Sequence, residues 1–156
     1  MTASSATELR HHMLIERLLF DVVGLPWSRV HGEADRWPVS LSDSTEQALT
    51  DLLDDPATCP HGHPIPGSSR AVDDTRLVAL DKAWGPVVVQ RVSAQLEEDP
   101  QALALLERAG LVPGRPAEIT GWHPSGIAVA GAVADTVVAH GIATQVLVAP
   151  HDQPVS

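Results

Sequence analysis

Two histidines and a glutamate in this chain are spaced to share one ion. His12 and Glu16 stand four apart in Arg10-His11-His12-Met13-Leu14-Ile15-Glu16-Arg17, and His31 opens the run His31-Gly32-Glu33-Ala34-Asp35-Arg36-Trp37. Residues at i and i+4 project from one helix face. His12 and Glu16 can therefore present an imidazole and a carboxylate that His31 closes from across a helical hairpin. Asp35, four residues after His31, can add a second carboxylate. Such donors suit a divalent transition metal: Fe2+, Mn2+, Co2+, Ni2+ or Zn2+. The plain alternative is a helical pair carrying surface ion pairs, with Asp35 bridging to Arg36 or Arg10.

A second constellation is Cys59-Pro60-His61-Gly62-His63-Pro64. Cys59, His61 and His63 alternate, so in an extended chain they point the same way, and thiolate with imidazole suits zinc. The alternative is a proline-stiffened structural turn. His11 points about 100° away from His12 around a helix and is expected in solvent or at a dimer seam. His123, His140 and His151 are scattered, and Trp27, Trp37, Trp84 and Trp122 read as core or interface. No Gly-x-Ser-x-Gly, Walker loop, Gly-x-Gly-x-x-Gly or Cys-x-x-Cys is present, so no classical catalytic motif or cradle for an organic cofactor stands out.

The elements that must position these residues can be read from periodicity and punctuation. A first helix is expected from Thr7 to about Val23, ended by Gly24, behind a disordered lead-in over 1–6. Pro26 and Trp27 open a second helix reaching about Trp37, broken by Pro38. A third runs from Ser42 or Asp43 through Leu53 and stops at Pro56. Residues 68–76 are polar and read as a linker. Short period-two runs follow at Leu77–Leu80, Val87–Val92, Ala117–Gly121, Ile127–Ala130, Thr136–Ala139 and Gln145–Val148, interrupted by one helix from Pro100 to Ala109. The chain thus reads as α+β: a helical unit over 7–67, then a small β-barrel over 72–150.

Composition narrows the function. The 156 residues carry 20 acidic against 10 basic side chains, a formal net charge of -10. Phosphate backbones are bound by Lys and Arg, so direct nucleic-acid binding is not expected. The single Cys59 excludes an internal disulfide and fits a reducing cytoplasm. Neither a signal-peptide pattern nor an apolar run of transmembrane length is present. The expectation is a soluble cytoplasmic protein with no membrane partner.

Three motifs in order carry a family resemblance. His12-x-x-x-Glu16-Arg17-Leu18-Leu19, Val30-His31-x-Glu33-Ala34-x-Arg36-Trp37 and Cys59-Pro60-His61-Gly62-x-Pro64-Ile65-Pro66-Gly67 resemble the dimerisation domain of the diphtheria-toxin-repressor family of metal-dependent regulators. Leu106-Glu107-x-Ala109-Gly110-Leu111-Val112-Pro113-Gly114 resembles the SH3-like, FeoA-like domain that follows it there.

The resemblance implies a homodimer and makes His12, Glu16 and His31 ligands of the ancillary metal site. Glu97 is then a further ligand from before the SH3-like helix, with Ala94 a lost one. The family's second, regulatory site falls on Asp35, Pro38 and Val39, and the last two offer no donor. Only a handful of residues precede the first helix, so the family's winged helix-turn-helix is expected to be missing.

Two functions follow as expectations. One is a stand-alone metal-binding homodimer that sequesters metal or pairs with a full-length regulator. The other is a metalloenzyme acting on a small-molecule substrate at a His/His/Glu-bound metal beside an apolar pocket.

Overall fold

The computed structural model describes residues 3–37 and 40–151, which divide into two compact units at Val72/Asp73. The first unit is helical. Its long helix α1 (Ala3–Arg17) runs on through a π-helical stretch, Leu18–Val23, and stops at Gly24, whose φ of 84° is a left-handed conformation that glycine adopts without strain. The helix thus starts earlier than Thr7, and part of the expected lead-in is helical.

The second helix is shorter than its pattern. A 3-10 turn, Trp27–Arg29, leads into α2 (Val30–Ala34), and Asp35 caps its end. Pro38 and Val39, expected to break this helix and to occupy the lost regulatory site, lie outside the described residues. Helix α3 (Asp43–Leu52) is capped by Ser42, whose hydroxyl accepts the Thr45 N–H at 3.2 Å.

Two apolar clusters hold this unit. Ile15 and Leu19 of the first helix pack with Val30 and Ala34 of α2, while Met13 packs with Cys59 and Ile65 of the Pro-rich segment. That segment is a tight turn, not an extended run. Gly62 N–H donates to Cys59 O and Cys59 N–H to His63 O, both at 2.9 Å. The expected alternation of Cys59, His61 and His63 on one side is therefore replaced by a fold-back, which Gly62 permits with φ 93°.

The second unit is a six-stranded antiparallel sheet in the order β1-β6-β2-β3-β4-β5. The strands are β1 (Val78–Ala79), β2 (Gly85–Val92), β3 (Pro116–His123), β4 (Gly126–Ala130), β5 (Asp135–Ala139) and β6 (Val146–Pro150). Alternation puts Val87, Val89, Ile119, Val129, Val138 and Val148 inside. Register shifts between Val89 and Arg91 and between Ile119 and Gly121 bend β2 and β3.

Helix α5 (Pro100–Ala109) buries Ala102, Leu103, Leu106 and Ala109, and Asp99 caps its start. Two one-turn helices, α4 (Ala94–Glu97) and α6 (His140–Ala143), carry no periodic signal in so short a span. Overall the chain is α+β.

Candidate metal centre

Helix α1 delivers His12 and Glu16 to one face, and α2 delivers His31 opposite them. Each of the three offers one ligand atom, and these atoms all lie within 4.8 Å of one another. His31 Nδ1 is 3.3 Å from Glu16 Oε2, and His12 Nε2 is 3.8 Å from Glu16 Oε1. Asp35 joins from the end of α2: its carboxylate oxygens lie 3.5 Å from His12 Nε2 and 3.5 Å from His31 Nε2. Asp35 is thus placed with the histidines instead of against an arginine.

Apart from the 3.3 Å contact, these gaps are too long for strong direct hydrogen bonds. They match the separation of about 3.4 Å between donors placed tetrahedrally around an ion at about 2.1 Å. The donor set therefore fits a divalent metal.

Burial is graded across the group. The Glu16 side chain is 2% exposed, the two imidazoles 18% and 15%, and Asp35 49%. Glu16 is the interior pole and Asp35 the solvent pole. Burial by itself raises the Glu16 carboxyl, but hydrogen bonds from His31 and His61 and the charges of His61 and His12 outweigh it. Its pKa falls from 4.5 to about 2. Every group that lowers it is an imidazole.

His61 belongs to this environment as well. Fully buried in its turn, it sets Nδ1 3.6 Å from Glu16 Oε2. Sequence spacing grouped it with Cys59 and His63. Its approach to Glu16 depends on a turn 45 positions along the chain docking on α1, and no local pattern reveals that. Arg17 holds the turn there, donating from Nε to Thr58 O at 2.7 Å and from a terminal nitrogen to Cys59 O at 3.3 Å.

His11, expected at the surface or a dimer seam, is 5% exposed. Its Nε2 lies 2.6 Å from Glu46 Oε2 on α3, and Leu41 N–H donates to its Nδ1 at 3.4 Å. Glu97 and Ala94 fall in the second unit, at the two ends of α4, whose start is capped by Ser93. Trp27 is buried, whereas Trp84 and Trp122 are 71% and 68% exposed and so are not core.

Residues 5–67 match the family described as "Iron dependent repressor, metal binding and dimerisation domain". The "Iron-dependent repressor IdeR" of Mycobacterium tuberculosis is 40% identical over 116 residues, which is 67% of this chain and 50% of that protein. The "Diphtheria toxin repressor" of Corynebacterium efficiens is 35% identical over 120 residues, 71% of this chain and 52% of that protein. The chain thus spans about half the length of these relatives.

Among solved structures, a "Manganese-dependent transcriptional repressor" superposes with a TM-score of 0.77 at 26% identity, covering 97% of this chain and 86% of the other. ScaR with bound Cd2+ superposes at 0.71 and 27% identity, covering 94% and 69%.

Proposed function

We propose, from the premise that the chain belongs to the iron-dependent repressor family, that its helical unit binds one divalent transition metal per chain through His12, Glu16 and His31. Asp35 is the solvent-side ligand, and the second unit is read as SH3-like and FeoA-type. The observation that carries this reading is the buried Glu16 carboxylate faced by imidazoles at hydrogen-bond distance or just beyond. The bound metal supplies positive charge to a pole that is otherwise only carboxylate and imidazole. Relatives named for iron and for manganese support those two ions as candidates.

The protein acts as a homodimer, in keeping with the matched domain's description. Val22, Val23 and Leu52 supply exposed apolar surface on the helical unit for such pairing. With a net charge of -10, these 156 residues are poor phosphate binders. We read them as acting by sequestering metal or by modulating a partner, such as a longer regulator of the same family, without touching DNA themselves.

A second reading rests on the exposure of Asp35. A solvent-side pole gives a small molecule access to the ion, so Lewis-acid or oxygen chemistry at the same residues is the enzymatic alternative.

Elemental analysis and Co2+ titration of wild type beside His12→Ala and His31→Ala test the shared premise. About one metal per chain in wild type, lost in both variants, is expected. A wild type that stays metal-free after loading with iron, manganese, cobalt and zinc overturns both readings.

A further inference from the structure

We propose that Trp27 is a positioning residue of the metal centre, holding the buried His61 ring in one orientation against Glu16. This rests on the metal-centre reading above. Trp27 reaches no ligand atom of its own. It touches the turn that carries His61 at three points.

Its indole Nε1–H donates to Pro60 O at 2.7 Å, and its ring packs against the His61 imidazole with centroids 4.8 Å apart. Its main-chain carbonyl lies 3.2 Å from His61 Nε2. A carbonyl only accepts, so Nε2 carries a hydrogen towards it, and the Nδ1 edge of the ring is the one turned to Glu16 Oε2, 3.6 Å away. Without that anchor the ring can turn over and present its other edge.

The place of Trp27 in the chain matters equally. It opens the turn that runs directly into α2, the helix carrying His31. One side chain, 2% exposed, therefore ties the His61 turn to the start of the His31 helix. His31 Nδ1 lies at hydrogen-bond distance from Glu16 Oε2, 3.3 Å, and His61 Nδ1 approaches the same oxygen at 3.6 Å. Outer partners of this kind orient metal-binding carboxylates and imidazoles, and losing one weakens metal affinity about 10- to 100-fold.

The test is a Co2+ titration of the full chain, followed by the visible absorption of the bound ion. Wild type is compared with Trp27→Phe and with protein carrying benzothienylalanine at position 27, which keeps the bicyclic shape and removes only the N–H. Both substitutions are expected to weaken Co2+ binding about 10-fold and to change the absorption envelope, with one ion per chain retained. The metal-free benzothienyl protein should keep the wild-type circular dichroism. If Trp27→Phe fails to fold, the benzothienyl protein decides.

Wild-type affinity and an unchanged spectrum in the benzothienyl protein overturn the positioning role while leaving the metal site intact. Absence of Co2+ binding in wild type itself overturns the metal-centre reading, and this one with it.

Discussion

Helix α1 carries two histidine–glutamate clusters one residue apart, and they are built on opposite principles. At His11 the charges are closed. Glu46 receives Arg10 Nε at 2.8 Å and His11 Nε2 at 2.6 Å, while the other Arg10 nitrogens reach Thr50 Oγ1 and Pro66 O. At His12 they are open. Glu16 is more deeply buried, faces only imidazoles, and stands 3.3 to 3.8 Å from them. Hydrogen bonds from Arg10 and then His11 hold the Glu46 carboxyl below its usual range, whereas Glu16 reaches about 2 against the opposing pull of burial. The contrast is between a His–Glu pair that an arginine completes and one whose carboxylate meets further histidines, the pair we propose is open to an ion.

That contrast can be broken most sharply at Glu16. Glu16→Ala is expected to abolish metal binding, a loss beyond the 10- to 100-fold typical of outer partners, whereas Glu46→Ala should leave affinity within about threefold of wild type. Calorimetric titration of both variants separates the clusters; equal losses would sink the distinction.

Stability should sort the other way. Glu46→Ala removes the carboxylate that meets the buried His11 Nε2 and accepts from Arg10 Nε, and should cost about 1–2 kcal/mol in urea unfolding of the metal-free protein. A change below about 0.5 kcal/mol would make that network incidental.

Acid sharpens the comparison further. The folded pKa of Glu16 lies below its ordinary 4.5, so its contribution to stability is complete above that value and is lost as pH falls toward about 2. The stability of metal-free wild type should fall across this window as pH drops, and Glu16→Gln should flatten the dependence. A profile that Glu16→Gln leaves unchanged refutes the assignment.

Asp35→Asn tests the solvent pole and should cost metal affinity about 10-fold, because the ligand is half exposed and keeps a neutral oxygen. No effect would remove Asp35 from the ligand set. Least of all should change at Trp122, which is exposed on β3 with its ring centred 5.4 Å from that of His140. Trp122→Ala is expected to shift stability by less than about 0.5 kcal/mol and metal affinity not at all.

Much of this was present in the order of residues. The spacing of His12 and Glu16 is a helix-face relation that depends only on 3.6 residues per turn. Helix α5 runs between Pro100 and Gly110 because proline starts a helix and glycine ends one, and it was legible to the residue. The β-rich half announced itself through period two, with strand ends displaced by a few residues because edge residues carry weak patterns.

What only the tertiary structure decided is which histidine does what. His11 and His12 are neighbours of one type, and their roles diverge because α3 brings a glutamate with an arginine to one face while α2 brings a histidine to the other. His61 reaches Glu16 only because its turn folds back on Gly62 and is held by Arg17 and Trp27. Local spacing determines which side chains share a face. Contacts made across dozens of residues determine what stands opposite them, and that sets whether a buried carboxylate is already satisfied or still open to an ion.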